Sequence, residues 1–315
     1  MTHTEPSHTP SHSAHGITIG RPAGIEPVSF RKRVITGAIY AVVMLGCLLI
    51  GNRFFVLPAL CVVMAAIGTF EFIRICQPDM NQTPRIIGLV MAMSLPLITT
   101  VARIQIPELP ILKTGGLIAL SALFFAVLAG MLCYLTWLAV TPTARARDAA
   151  LSFFGALYLG MPLSCLILIR AMDTGLVLAV TTVVSIWVAD SFAYIGGSLL
   201  GRHKLAPVIS PKKSWEGLLF SLAGAIIIWY LAPLIINGRA SIPVALTGGI
   251  IVAFSSLIGD LFESRIKREA GVKDSGKLLP GHGGILDRID SLLFTSVFIY
   301  MLVSIVGTAL GIVSP

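Results

Sequence analysis

Long apolar runs recur along this sequence and limit its fold more than any other feature. Nine stretches, each close to the roughly 20 residues that cross a bilayer as a helix, are dominated by Ala, Val, Ile, Leu and Phe. Hydrophobic residues make up 56% of the chain and charged residues only 12%, against about 25% charged in an average soluble protein. The predicted fold class is therefore all-α: a polytopic integral membrane protein with about nine transmembrane helices.

The apolar runs predict the division of the chain. The nine expected spans are residues 34–51, 54–73, 86–102, 114–140, 149–170, 175–199, 217–236, 242–263 and 289–312. Residues 1–30 form a polar, His-rich tail with too little apolar content to fold, so this tail is expected to be disordered. Polar residues typical of a site become frequent only after residue 185. We therefore expect membrane scaffold helices over 31–174 and a catalytic region with cytoplasmic loops over 175–315.

The basic residues are distributed unevenly between the two ends of these spans. If the N-terminus is cytoplasmic, eighteen of the 23 Lys and Arg residues fall in the tail and the cytoplasmic loops, and five fall outside. This asymmetry predicts a cytoplasmic N-terminus and an outward C-terminus. The net charge of +8 follows mainly from the same bias. The five Cys are isolated, without a CxxC pair, and are expected to be packing residues.

One polar segment, Ser264–Asp290, stands between the last two apolar runs. It contains six basic residues, four acidic residues, one His and five Gly. Lysines and arginines bind phosphates, carboxylates bind hard cations, and glycines let the backbone approach a ligand closely. The segment therefore has the residue types that phosphate and Mg²⁺ chemistry requires, and the orientation above places it on the cytoplasmic side.

Two groups of residues are predicted to share a helix face. On a helix that continues past the eighth span, Asp260, Ser264, Lys267 and Arg268 fall on one side. Glu263 and Glu269 would then point away and be solvated. At the start of the ninth span, Asp287 and Asp290 face one way and repel each other unless a cation lies between them. Helix capping explains one of these Asp residues, and Mg²⁺ would explain the pair together with Asp260.

Further candidate residues lie in and after the sixth apolar run. Asp190 is an ionisable group at membrane depth, which indicates a functional site, although a hydrogen bond to Ser191 or to a neighbouring helix is the alternative. In the loop 201–217, Lys212 and Lys213 could bind phosphate or an anionic headgroup, and Ser214 is expected to cap the next helix. His282 could contact a phosphate, a base or only a backbone carbonyl, and is not expected to bind metal.

The polar segment resembles the signature of the phosphatidate cytidylyltransferase family, also called CDP-diacylglycerol synthases. The matching positions run from Ser264 through Lys273-Asp274, Leu279-Pro280 and His282-Gly-Gly to Asp287-Arg-Ile-Asp290. Asp190-Ser-x-Ala-Tyr194 and Ser210-Pro-Lys-Lys-Ser-Trp-Glu-Gly217 are similar to the same family. The resemblance therefore covers about residues 185–291.

The resemblance implies a membrane enzyme that joins CTP and phosphatidate to give CDP-diacylglycerol and pyrophosphate by metal-assisted, in-line transfer. It implies Mg²⁺, with K⁺ as a second cation, at Asp260, Asp287 and Asp290, and catalytic roles for these residues and Lys267. The expected substrate-binding residues are Asp190, Lys212, Lys213, Ser264, Arg268, Lys273, His282 and Arg288. A homodimer in a bacterial-type inner membrane is implied, with the active site facing the cytoplasm and no nucleic-acid partner.

Three alternatives compete with this interpretation. A CDP-alcohol phosphotransferase would need a DGxxAR…GxxxDxxxD helix, which this sequence lacks. An ion-coupled transporter could use Asp190 and Asp260 as coupling-ion sites, and a broken sixth helix would fit it. Against it, no repeat relates two halves of the chain, and the charged cluster lies in a loop. A structural scaffold leaves the clustered carboxylates unexplained.

Overall fold

A computed structural model describes residues 30–50, 55–104, 116–238 and 240–306 of the chain. Nine α-helices within these ranges occupy the positions of the nine predicted spans. They are α1 (Phe30–Ile50), α2 (Val56–Cys76), α3 (Gln82–Ile104), α4 (Gly116–Val140), α5 (Ala146–Arg170), α6 (Gly175–Leu200), α7 (Trp215–Asn237), α8 (Ile242–Glu269) and α9 (Leu286–Val306). The predicted disordered tail, except for Phe30, and the end of the ninth predicted span lie outside the described residues.

The helices confirm the all-α, polytopic membrane class. Eight of the described helices, α2 to α9, are long and apolar enough to cross a membrane, and α1 contributes the shorter apolar stretch Ile35–Ile50. The sixth helix, which would be broken in the transporter interpretation, is continuous over Gly175–Leu200. The eighth helix continues past its predicted span to Glu269, as the helical-face argument required.

A small hairpin joins α6 to α7, and the sequence analysis did not predict it. Strand β1 (Lys204–Ala206) pairs antiparallel with strand β2 (Ser210–Ser214). Ser214 then caps α7 as predicted, because its hydroxyl accepts the N–H of Gly217 at 3.1 Å. The hairpin and the cap hold the two lysines of β2 at the entrance to α7.

An aromatic cluster packs four helices together beneath the polar segment. Tyr158 of α5 lies between Phe72 of α2, Phe262 of α8 and Phe294 of α9, with ring centroids 5.2–6.1 Å apart. Aromatic side chains bury large apolar areas and favour such tilted contacts. The cluster brings α2, from the first half of the chain, close to the helices that carry the polar segment.

Helices α8 and α9 approach each other closely. The hydroxyls of Ser255 and Thr295 are 2.9 Å apart and hydrogen-bond across the interface. A side chain at Gly259 would overlap the backbone carbonyl of Asp290, so a residue without a Cβ is required there. The close approach sets Asp260, the next residue of α8, beside the N-terminal turn of α9.

Candidate active site

A cavity of about 1120 Å³ opens where α6, α7, α8, α9, the hairpin and the polar segment meet. Ten of the twelve predicted site residues line it. These are Asp190, Lys212, Lys213, Asp260, Lys267, Lys273, His282, Asp287, Arg288 and Asp290. The fold thus brings together residues that are spread over a hundred positions of sequence.

The other two predicted site residues lie behind or beside the cavity lining. Ser264 is buried, and its hydroxyl donates to Oδ1 of Asp260 at 3.1 Å, one helical turn away. Arg268 is exposed, and its Nη1 lies 3.4 Å from the carbonyl oxygen of Val272. Ser264 therefore orients a cavity residue, whereas Arg268 contacts the backbone that follows α8.

Lys267 lies between two carboxylates. Its Nζ is 2.7 Å from Oε2 of Glu263 on the same helix and 2.6 Å from Oδ1 of Asp287 on α9. The prediction that Glu263 is solvated is wrong, because its side chain is only 1% exposed. The ion pair with Lys267 explains why Glu263 is buried, since a carboxylate is buried only when it is paired. Glu269 is exposed as predicted and pairs with Arg265.

The second oxygen of Asp287 is held by the polar segment itself. Oδ2 accepts the backbone N–H and the hydroxyl of Ser275, both at 2.8 Å, and the N–H of Gly284 at 2.8 Å. Gly283 approaches the same carboxylate with a positive φ of 79°, which glycine adopts without strain. The carboxylate is therefore fixed in position by donors on both of its oxygens.

Lys213 forms a second ion pair between separate elements, which joins strand β2 to helix α8. Its Nζ lies 2.8 Å from Oδ2 of Asp260, whose side chain is 41% exposed. The pair joins the end of the hairpin to α8. Asp260 thus receives a cation from β2 on one oxygen and the Ser264 hydroxyl on the other.

Asp190 and Asp290 complete the acidic side of the cavity. The hydroxyl of Ser256 on α8 donates to Oδ1 of Asp190 at 3.3 Å, so the hydrogen bond to a neighbouring helix that was the alternative to a functional role is present. Ser191 instead donates to the carbonyl of Trp187.

Oδ1 of Asp290 accepts the N–H of Ser291 at 2.7 Å. Asp290 lines the same cavity as Asp190 and Asp260.

Four cations of the cavity have no ion-pair partner within 4.0 Å among the described residues: Lys212, Lys273, Lys277 and Arg288. They differ in this from Lys213 and Lys267, which hold carboxylates. Their charges face the same cavity, so an anionic ligand could pair with them without breaking an internal salt bridge.

Helix α1 covers one side of the polar segment. The hydroxyl of Tyr40 donates to the carbonyl of Arg288, and that of Thr36 donates to the carbonyl of Pro280, both at 3.3 Å. The ring of His282 lies close to Gly37, where an added Cβ would come within 3.2 Å of Nε2. The backbone N–H of His282 donates to the carbonyl of Leu279.

The carboxylate of Glu71 reaches the polar segment from α2, and the sequence analysis missed it. Its oxygens accept the N–H groups of Ile285 and Leu286, and Oε2 lies 3.2 Å from the hydroxyl oxygen of Ser275. An acidic residue inside an apolar run was the available signal, because a charged group there is costly unless it is partnered.

The carboxylates suit Mg²⁺ in kind, since Mg²⁺ prefers hard oxygen ligands. Among the described residues, however, no three His, Cys, Asp or Glu side chains stand close enough together to hold a metal ion. Mg²⁺ commonly takes one or two carboxylates and completes its shell with waters and substrate phosphate oxygens. The donor set therefore fits such a shared site, and it does not form an all-protein cage.

Fold and site together define a polytopic membrane protein with a charged cavity at the end of its helix bundle. Six Lys and Arg and six Asp and Glu side chains line this cavity. The class they indicate is a membrane enzyme that handles phosphate groups, because transferred phosphates require both cations and metal-binding carboxylates.

Comparison with known proteins defines the family. The sequence profile described as "Cytidylyltransferase family" matches residues 31–306. The Bacillus subtilis protein named "Phosphatidate cytidylyltransferase" is 34% identical over 283 residues, which cover 88% of this chain and 99% of that protein. The chain belongs to the cytidylyltransferase family. It is a nucleotidyltransferase, and membership of this family does not support the transporter alternative.

Two further relatives extend this similarity. The Pseudomonas aeruginosa protein of the same name is 33% identical over 275 residues, covering 83% of this chain and 92% of that protein. The Thermotoga maritima protein of that name is 44% identical over 138 residues, covering 42% of this chain and 51% of that protein.

Proposed function

We propose that this enzyme joins CTP and phosphatidate to give CDP-diacylglycerol and pyrophosphate, as a step of phospholipid biosynthesis. The observation that carries the proposal is the charged cavity formed by four membrane spans and the polar segment. Such a cavity is accessible to a soluble nucleotide and adjoins the bilayer that holds the lipid. The names of the relatives that match over most of the chain support the same reaction.

The reaction forms one phosphorus–oxygen bond and breaks another. An oxygen of the phosphatidate phosphate attacks the α-phosphorus of CTP, and the bond from that phosphorus to the pyrophosphate oxygen breaks in line. The phosphate of phosphatidate is already ionised near neutral pH, so the attacking oxygen requires no general base. The protein's task is to bring two anions together and to stabilise the charge that develops on the leaving pyrophosphate.

The cations without internal partners suit that task. Lys212, Lys273 and Arg288 would bind phosphate oxygens directly, together with Lys277. Lys213 and Lys267 would act mainly by keeping Asp260 and Asp287 in place. Asp190 and His282, which line the same cavity, would help to orient the lipid or the nucleotide.

The charge of the cavity supports a metal requirement. Its acidic and basic side chains are equal in number, so the protein alone supplies no excess positive charge to two anionic substrates. Asp260, Asp287 and Asp290 are the carboxylates from which Mg²⁺, with K⁺ as a second cation, would take one or two ligands, and waters and substrate phosphate oxygens would supply the rest. Mg²⁺, when bound, neutralises phosphate oxygens and stabilises the leaving group.

We expect the enzyme to work as a homodimer in a bacterial-type inner membrane with its site facing the cytoplasm. The uneven distribution of Lys and Arg supports this orientation. The solubility of CTP supports it too, because the nucleotide must reach the cavity from an aqueous compartment.

The test uses the purified full chain in mixed micelles with phosphatidate, CTP labelled with ³²P at the α-phosphate, and Mg²⁺. Label should appear in a chloroform-soluble product and should disappear when EDTA replaces Mg²⁺. Asp287→Asn should lower the rate about 10- to 100-fold, because the loss of a group that supports a metal site typically costs that much in metal affinity or activity.

Asp173→Asn is the matched control, since Asp173 is an exposed carboxylate in the turn between α5 and α6. It should transfer label at the wild-type rate. Folded wild-type protein that leaves all label in the aqueous phase would exclude the proposed reaction. Full activity of Asp287→Asn would keep the reaction and remove Asp287 from the metal site.

A further inference from the structure

We propose that Glu71 of α2 is a positioning residue of the active site, which sets the carboxylate of Asp287 by holding the polar segment from outside the catalytic region. This inference rests on the proposed function for its catalytic consequence. The contacts that carry it are independent of any substrate. None of the sequence patterns above assigned Glu71 a role.

The carboxylate of Glu71 is almost fully enclosed. Its residue is 6% exposed. Oε1 accepts the N–H of Ile285 at 3.2 Å, and Oε2 accepts the N–H of Leu286 at 2.9 Å. These are N–H groups at the start of α9, which lack partners within their own helix. A negative charge at a helix N-terminus is also favoured by the helix dipole.

Ser275 links this carboxylate to Asp287. Its hydroxyl is 3.2 Å from Oε2 of Glu71 and 2.8 Å from Oδ2 of Asp287, and its backbone N–H donates to the same Asp287 oxygen. A hydroxyl has only one proton to donate. The two carboxylates therefore compete for a single donor, and the position of either depends on the other.

Two glycines of the polar segment are explained by Glu71. A Cβ at Gly276 would overlap Oε1 of Glu71, and a Cβ at Gly284 would overlap Oε2 of Glu71 and the hydroxyl of Ser275. Glycines in a segment of this kind suggest the close approach of a ligand. At these two positions the close neighbour is a side chain of the protein itself.

A purely structural helix cap would account for the bonds to Ile285 and Leu286. It would not account for the bond through Ser275 to a residue of the catalytic cavity. The two roles differ in what they predict: a cap affects folding alone, whereas a positioning residue changes turnover through Ser275 and Asp287.

The experiment compares wild type with Glu71→Gln, in which one acceptor oxygen becomes an NH₂ group that cannot accept an N–H. Deuterium uptake of the peptide covering residues 273–290 should rise about tenfold, because local opening becomes easier. The kcat of label transfer should fall about 10- to 100-fold, as for other supports of a metal or active-site ligand. The KM for CTP should change by less than about threefold, because the loss lies in turnover.

A double variant separates positioning from general damage. Glu71→Gln combined with Ser275→Ala should have about the same kcat as Glu71→Gln alone, because residues that act through one path are not additive. If the losses in kcat of the two single variants multiply in the double variant, the proposal is overturned. Wild-type kcat together with wild-type uptake in Glu71→Gln would overturn it as well.

Asp148→Asn is the matched control. Asp148 is a carboxylate with 0% exposure in α5, and its oxygens have no hydrogen-bond partner among the described residues. Asp148→Asn should keep the wild-type kcat and the wild-type deuterium uptake of residues 273–290.

If Glu71→Gln does not fold, Ser275→Ala alone can test the proposal, since this variant keeps both bonds from backbone N–H groups to Glu71. Its kcat should fall with KM unchanged, and an unchanged kcat would overturn the proposal.

Failure of the proposed function would look different. In that case wild type would transfer no label, while the uptake of residues 273–290 would still report whether Glu71 holds the segment. Equal uptake in wild type and Glu71→Gln would then reject the positioning role.

Discussion

Nζ of Lys267 on α8 lies 2.6 Å from Oδ1 of Asp287 on α9, so the chain supplies its own cation to a carboxylate that the sequence assigned to metal binding. Glu263 holds the same ammonium from the other side at 2.7 Å. The charge next to Asp287 is thus determined by a buried triad of two carboxylates and one lysine. Any Mg²⁺ bound by Asp287 must share that carboxylate with Lys267.

Replacing Lys267 by Met should destabilise the protein strongly. Two buried carboxylates would lose their cation, and removal of one partner of a buried ion pair typically costs about 3–5 kcal/mol. The free energy of unfolding can be followed by tryptophan fluorescence in mixed micelles of increasing SDS content. Label transfer should be lost in the same variant.

Arg265→Met is the control for that measurement. Arg265 is two residues away and pairs with Glu269 at 2.6 Å, but both side chains are more than half exposed. Exposed pairs contribute about 0–1 kcal/mol, so this variant should unfold like wild type. Equal destabilisation by the two substitutions would contradict the buried triad.

The ion pair between Lys213 and Asp260 should appear as coupling in a double-mutant cycle. Lys213→Ala and Asp260→Asn should each lower kcat/KM. The double variant should lose less than the product of the two, with a coupling of about 1 kcal/mol, because groups in contact are typically coupled by about 0.5–3 kcal/mol.

Lys212 provides the comparison on the same strand. Lys212 lines the cavity but makes no ion pair within 4.0 Å in the described part of the chain. The losses in kcat/KM caused by Lys212→Ala and by Asp260→Asn should therefore multiply in the double variant. If both lysines give the same coupling, the 2.8 Å contact of Lys213 does not determine the role of Asp260.

Gly284→Ala should impair both stability and turnover. The added methyl group would overlap the Glu71 carboxylate and the Ser275 hydroxyl, and overpacking of this kind typically costs about 1–3 kcal/mol. SDS unfolding and label transfer measure the two effects. Gly46→Ala in α1 is the control, since no heavy atom lies within 4 Å of its added Cβ. If Gly284→Ala changes neither SDS unfolding nor label transfer, Glu71 does not occupy this space.

Single cysteines should report the two ends of the bundle. In a background with the five native Cys replaced by Ala, Lys277→Cys should react with a membrane-impermeant maleimide only from the cytoplasmic side. Asp173→Cys, in the turn between α5 and α6, should react only from the other side, because α6, α7 and α8 separate the two positions by three crossings. Labelling of both from one side would contradict the alternation of these spans.

Several features of the protein followed from the sequence alone because their causes are local. Apolar runs of bilayer length located all nine described helices. The spacing of four residues placed the Ser264 hydroxyl against Asp260, and the residue before Trp215 capped α7 as expected. The residue types of the polar segment indicated phosphate chemistry because a phosphate site needs cations, carboxylates and glycines close together, and the order of these residues resembles the signature of the family.

Only the tertiary structure decided which partners these residues have. Helical spacing alone assigned Glu263 to solvent, but the packing of α9 against α8 and the placement of Lys267 between two carboxylates keep it buried. Glu71 lies 204 positions from Ser275, and it reaches the polar segment because the aromatic cluster packs α2 against α5, α8 and α9. Such contacts depend on how whole helices pack, which hydropathy and local spacing do not specify.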